Sequence, residues 1–597
     1  MPCGKPCTGK WTAGTAEPAQ PSRHLAFDRS QSTSHQTSVV EPPAGVMIRV
    51  PPFPCPRGLR CHMQDTYKRF RVPNEDIRLT AAEVEVIQTR QFQRLFNLKQ
   101  LGLAYLVYPM ATHTRGGHSI LCVGQAGRIL QAVSKADDAE AMAVRMAALL
   151  HDIGHVPFSH TLEDENLVLD RHDRPERMKK ALALLRAELP SRAQGLIDEA
   201  APILDDIAAG SGTSTWRGDL VGNTVCADLL AYITTDAAWT GIEKRPGYYR
   251  LYDYFTVYRD RLCVRLTKGG LRPDVVSAIL DLLDMRYALT ERVYMHHAKC
   301  VASAMLARVA RLSQLSDTDD LLSIGDEGLF ALLEVRARET SQGAGRVLQA
   351  LQARHLYKRI FRLGTEARQR WDQGRASGAF CARWRDAGQV ENLLRDVENE
   401  HRLPEGSLVL WCPEAKANMK LANVQVVWET ADSALGGPVP LRDDLIKERF
   451  PGVYQRVRNI ESQYADLWTF WVAIDRTVLA KAAPVVQSLE EAIGETCDSD
   501  FVETYLKQID GYTEASKLSR RVTTKTRSLA SRAQSVLGDQ AARSGGSAPP
   551  PDDEQIMEAI QSVLSSDQDA QASLPLVPTG DQPDSPPRGT KTRKRPG

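Results

Sequence analysis

The feature that most constrains this chain is its period. From about residue 64 to 535 the apolar residues recur chiefly at three- and four-residue intervals, with 139–150, 273–312 and 326–363 as long examples. That spacing lines side chains along one face of a helix, so the body is expected to be mostly α-helical. Striped helices need partners to cover them, and a chain of 597 residues with 42% hydrophobic content can bury at least one large core. The period changes at 407–430 and 466–475, where SLVLWCP, NVQVVWET and LWTFWVAID carry β-branched and aromatic residues between Gly and Pro. A small α+β C-terminal lobe packed on the helical body is expected there. Residues 1–62 are rich in Pro, Ser, Thr and Gly and read as a disordered leader. Residues 536–597 contain SGGSAPPPDD and read as a disordered tail, with a short helix at 553–565 striped by Ile556, Ile560, Val563 and Leu564.

Charge narrows the partners. Basic and acidic residues number 75 and 74, a formal charge of +1 that excludes a general polyanion-binding surface and leaves only local patches. Two such patches are 517–532 (KLSRRVTTKTRSLASR) and the terminal Lys591, Arg593, Lys594 and Arg595. They offer at most a weak nucleic-acid contact, a solvated helix face being the commoner use of such a run. The 11 cysteines are scattered without the paired spacing of a zinc knuckle, which suits reduced thiols. No apolar run approaches the roughly 20 residues that cross a bilayer. A soluble, cytoplasmic protein with no membrane contact is expected.

The histidines are unevenly placed. Six of the 13 lie between positions 113 and 172. At their centre AALLHDIGHVPFSH runs an apolar helical segment into His151-Asp152, followed by Gly154, His155, Pro157 and His160. Adjacent residues differ by about 100° around a helix, so His151 and Asp152 can address one ion only near a helix end, and the Gly and Pro supply one. Such a mixed nitrogen and oxygen set suits a divalent metal, with Fe, Mn, Co, Ni, Zn and Mg all open. HTRGGH upstream offers His118 as a further ligand, and NTVCADLLAYITTD downstream offers Asp228. Asp228, Tyr232 and Asp236 form one polar stripe on a helix, and in MRYALTERVYMHH the residues Arg286, Thr290 and Tyr294 form another, so two helices could line one pocket. His113, His296 and His297 read as packing or surface groups.

In order along the chain, TRQFQRLFNLKQLGLAYLVYPMATHTRGGHS, HDIGHVPFSHTLE, DLLAYITTD and MRYALTERVYMHH resemble the HD-domain deoxynucleoside triphosphate triphosphohydrolases, the family of bacterial dGTPases and the vertebrate SAM and HD domain-containing protein. The resemblance implies a mostly α-helical HD-domain fold, with the HD domain at 63–365 and the C-terminal helical and α+β lobe at 366–535. It implies that His118, His151, Asp152 and Asp228 hold the metal and that His155, His160 and His172 serve catalysis, Asp173 standing in for the acid beside His172. It further implies phosphate contacts from Arg115 and substrate contacts from Arg286, with Gln91, Tyr232, Asp236 and Tyr294 around a deoxyribose. The chain departs from the family at Gly116-Gly117, at Leu229 and at RFRVPNEDIRL. Hydrolysis of a dNTP to deoxynucleoside and inorganic triphosphate is the implied reaction, in a homo-oligomer. The alternatives are another HD nucleotide hydrolysis, of a monophosphate or a cyclic nucleotide, and a nucleotide-sensing or nucleic-acid-binding assembly protein.

Overall fold

The computed structural model describes residues 68–508 apart from 73–74, 134–135, 164–165, 210–214, 244–246, 317–319, 415–422 and 431–433, and it is mostly helical. The expected leader 1–62, the tail 536–597 with its helix at 553–565, and the basic stretches 517–532 and 591–595 lie outside the described residues. No described helix is long and apolar enough to cross a membrane.

The described chain opens with an antiparallel hairpin, β1 (Lys68–Val72) and β2 (Glu75–Leu79). Helix α1 (Arg115–Ala132) starts at Thr114, whose side chain accepts the Gly117 amide, and α2 (Asp138–Leu150) starts at Asp137, whose carboxylate accepts the Glu140 amide at 2.8 Å. Each cap satisfies an amide that a first helical turn leaves open. From Met146 to Leu150 α2 is apolar on every side and wholly buried. A helix end of that kind must be surrounded, and α2 packs between α1 and the helix Ser191–Ala209. Helix α3 (Pro175–Ala187) begins on a proline, whose missing amide costs nothing at that position. Helix α4 (Ala227–Thr240) lies against α1.

Strands β3 (Phe255–Tyr258) and β4 (Arg261–Arg265) form a second hairpin, and α5 (Pro273–Leu289) follows, packed on α4. The helical run expected over 273–312 is interrupted. Helix α5 passes into a π-helical turn at Thr290–Tyr294, and α6 (His297–Leu312) restarts with the His296 side chain accepting the Ala298 amide. A π turn carries one residue more than an α turn, so period alone does not reveal it. The run 326–363 also divides, into helices Asp326–Thr340 and Gln342–Gln352 and a strand, β5 (Lys358–Gly364).

All three segments expected as strands are strands: β6 (Leu408–Trp411), β7 (Gln425–Glu429) and, after β8 (Leu435–Pro440), β9 (Thr469–Ile474). They do not share one sheet. Strands β5, β9 and β6 form an antiparallel three-stranded sheet in that order, whereas β7 pairs parallel to β4 in the order β3-β4-β7-β8. Val426 and Trp428 of β7 join the apolar core of α1, α2, α4 and α5, together with Val453, Val457 and Ile460 of α7 (Pro451–Asp466). The C-terminal part of the chain therefore completes the core around the histidine-bearing helices.

Candidate metal centre

Three helix ends meet at the histidines. His118 lies in the first turn of α1, Asp228 in the first turn of α4, and His151 closes α2 with Asp152 just beyond it. Because α2 stops there, two adjacent residues face one point. His118 Nε2 is 3.3 Å from His151 Nε2, 3.7 Å from Asp152 Oδ2 and 3.1 Å from Asp228 Oδ1. His151 Nε2 is 3.5 Å from Asp152 Oδ1 and 3.8 Å from Asp228 Oδ1.

The donor set tests whether a metal fits. His151 Nδ1 lies 2.8 Å from the Ala148 carbonyl, which can only accept, so Nδ1 holds the proton and Nε2 turns a lone pair toward the cluster. Burial opposes a charge on His118, but Asp228 and Asp152 outweigh it and raise its pKa. The pull on a proton at that point is a pull on any cation. Burial likewise pushes the Asp152 carboxyl up, and Arg115, His151 and His155 outweigh it to hold the group well below the carboxylate range. Arg115 donates to Asp152 Oδ2 at 2.6 Å and to Ser159 Oγ at 2.8 Å. Two imidazoles and two carboxylates converging in this way suit a divalent ion.

A second group stands against the first. His155 Nε2 is 3.3 Å from Asp152 Oδ1, and His155 Nδ1 is 3.3 Å from Glu163 Oε1. His172 Nδ1 lies 2.9 Å from Glu163 Oε2. The His155 and His172 rings are stacked at 3.6 Å, with His160 edge-on to both. Burial, then the charges of Arg115 and His172, lower the pKa of His155 to about 4, leaving it neutral near pH 7. Burial opposes the charge of Glu163, yet His155 and His172 hold that carboxyl well below its usual range. His160 is the most open of the three, with 41% of its side chain exposed.

The acid beside His172 is therefore Glu163, which corrects the expectation for Asp173. Asp173 is taken up by Arg171 at 2.9 and 2.8 Å. Neighbours in irregular chain point apart, whereas the loop after α2 folds back and presents Glu163 to both rings. The sequence does not single out Glu163, because HTLEDEN sets it beside Asp164 and Glu165 and any of the three lies within reach of His160 by spacing.

The polar stripe of α4 also meets the one that runs from the end of α5 into the π turn. Asp236 accepts from His113 Nε2 at 2.9 Å and from the Tyr294 hydroxyl at 2.7 Å. His113, expected to be a packing group, stacks on Trp239 as well and is a member of this cluster. Tyr232 lies between Asp228 and Asp236 on α4, its hydroxyl pKa pushed up chiefly by burial against the counter-pull of Arg286 in the last turn of α5. Gln91 is buried in the helix Arg90–Gln93, with its Nε2 lacking a hydrogen-bond partner among the described residues. His296 and His297 stack on one another.

A His-Asp pair closing one helix, joined by a histidine and an aspartate from the starts of two others, defines an HD domain. Residues 115–200 match the HD domain family and residues 265–387 the HD associated region. The chain therefore carries an HD domain followed by an HD associated region, and around them it is similar to deoxynucleoside triphosphate triphosphohydrolases. It is 28% identical over 293 residues to the uncharacterized protein MJ1154 of Methanocaldococcus jannaschii, covering 48% of this chain and 58% of that one. It is 26% identical over 296 residues to the deoxynucleoside triphosphate triphosphohydrolase SAMHD1 homolog of Dictyostelium discoideum, covering 46% and 56%. Over 136 residues it is 35% identical to the deoxynucleoside triphosphate triphosphohydrolase SAMHD1 of Bos taurus, covering 20% and 23%. The chain thus spans little more than half the length of the first two relatives, at 58% and 56%.

Proposed function

We propose that this chain is a metal-dependent phosphohydrolase that converts a deoxynucleoside triphosphate to deoxynucleoside and inorganic triphosphate. The observation that carries the reading is the sequence of groups along α4. Asp228 stands with the candidate metal ligands, and Asp236, two turns or about 12 Å further along the axis, stands with Tyr294 and His113. A nucleotide whose α-phosphate lies at the first group extends its sugar toward the second.

In this reading His118, His151, Asp152 and Asp228 hold the ion, with Fe, Mn, Co, Ni, Zn and Mg all compatible. When bound, such an ion polarises a phosphoryl oxygen and acidifies a water. His160, the most open of these three imidazoles, delivers a proton to the leaving oxygen, and Glu163 keeps His155 and His172 oriented beside it. Arg115 and Arg286 hold phosphate charge. Tyr232, Tyr294 and Gln91 border the sugar, and Asp236 accepts its 3′-hydroxyl while the Tyr232 ring crowds a 2′-hydroxyl. Homo-oligomer formation and a weak nucleic-acid contact through 517–532 and the C-terminal tail accompany the proposal. Sizing chromatography and salt-dependent DNA binding test them.

The deciding experiment incubates the metal-reconstituted protein with each dNTP and NTP and resolves the products by chromatography. Deoxynucleoside with inorganic triphosphate is the expected pair. Stepwise phosphate release, or turnover of a monophosphate or cyclic nucleotide alone, would assign another HD reaction. A shift in melting temperature with dNTP but no product would mark a sensor.

A further inference from the structure

His113 is absent from the ligand set and from the imidazole cluster, yet it is the residue that fixes Asp236. Asp236 is 2% exposed. Its Oδ1 accepts from His113 and its Oδ2 from Tyr294. A carboxylate only accepts, so His113 Nε2 carries a proton toward it. The His113 side chain is 8% exposed, and its ring lies nearly parallel to Trp239, with centroids 5.7 Å apart and planes inclined by 22°. The His113 carbonyl accepts the Gln100 amide at 2.9 Å, which ties down the backbone as well. The next residue, Thr114, caps α1, the helix that carries His118. One loop therefore sets both a candidate metal ligand and the partner of Asp236.

We propose that His113 is a positioning residue for sugar selection, an inference that rests on the function proposed above. Each carboxylate oxygen of Asp236 keeps a second lone pair, so the group can still accept a substrate hydroxyl. A hydroxyl that donates to an ionised carboxylate gains a charge-assisted bond that the analogue lacking it cannot make. That gain is full only if the acceptor is already aimed at the hydroxyl and cannot turn away. With Tyr294 alone, Asp236 is free to rotate about its side-chain bonds; with His113 stacked and bonded it is not.

The test compares kcat/KM for a dNTP with that for the matching 2′,3′-dideoxy nucleotide, alongside bound metal and melting temperature. His113→Ala is expected to raise KM for the dNTP and cut the preference for the 3′-hydroxyl about tenfold or more, with kcat and bound metal retained. His113→Gln, whose amide N–H reaches about as far as Nε2, is expected to restore the preference. His113→Asn fills the space but falls short of Oδ1, and it takes the place of the Ala variant if that one fails to fold. A purely structural role would lower activity on both nucleotides alike, and an unchanged preference in His113→Ala and His113→Asn would overturn the assignment. A wild-type protein that turns over no dNTP, or shows no 3′-hydroxyl preference, would instead bring down the parent reading and this one together.

Discussion

In the proposed site Asp152 would serve two partners at once, a cation and the Arg115 guanidinium. Its carboxylate lies 2.6 Å from the Arg115 guanidinium, and Arg115 is 3% exposed. Removing one member of such a pair strands the other, which typically costs about 3–5 kcal/mol. In metal-free protein Asp152→Ala is therefore expected to lose that much in urea unfolding, while His151→Ala, which strands no charge, loses much less. Both variants are expected to fail to retain metal and to turn over no substrate. Equal stabilities would mean that the Arg115 pair contributes nothing, and full activity without metal would remove the ligand assignment. Glu163 makes a separate test. Glu163→Gln offers an N–H where an oxygen now accepts, so one of His155 and His172 must turn. Turnover is expected to fall about a hundredfold or more with metal content unchanged. Metal analysis beside steady-state kinetics separates this outcome from ligand loss.

At the scale of elements, the centre depends on where helices stop. The loop after α2 is pinned by Arg94, which donates to the carbonyls of Ile153 at 2.8 Å and His155 at 2.7 Å. Asp326 Oδ1 accepts the Phe158 amide at 2.7 Å, and Phe158 and Ser159 take positive φ angles of 59° and 52°. Neither residue favours that region, so the turn persists because its surroundings impose it. Gly154 makes room for the strand of chain behind: a Cβ there would sit 2.4 Å from the His172 carbonyl oxygen. Since backbone cannot yield as a flexible side chain can, Gly154→Ala is expected to cost about 1–3 kcal/mol and to draw His172 away from Glu163. Thermal melts and kinetics read the two effects, and a variant with native stability and rate would show that the loop has more slack than its packing implies.

For the whole molecule, the consequence of β7 pairing with β4 is that the histidine-bearing helices do not own their core. Val426, Trp428, Val453 and Ile460 lie among the buried residues around α1, α2, α4 and α5. Losing even one large core side chain costs about 2–5 kcal/mol, comparable to much of a domain's net stability. A fragment ending at residue 365 is therefore expected to be insoluble or protease-sensitive, whereas a chain lacking 1–60 and 545–597 is expected to retain metal and turnover. Limited proteolysis of both chains decides the matter, and a stable, metal-binding 63–365 fragment would show that the shared core is dispensable. Period and local chemistry were sufficient for the helical class, for the strands at 408–411, 425–429 and 469–474, and for the expectation that His151 and Asp152 meet at a helix end, because each depends on residues within a few positions of one another. Which strand pairs with which, that Glu163 faces His172, that His113 holds Asp236 and that α5 breaks at a π turn were settled only by tertiary structure. The pairs His172–Glu163 and His113–Asp236 join residues 9 and 123 positions apart, where no local pattern records which group will be waiting, and the π turn adds a residue without breaking the apolar run.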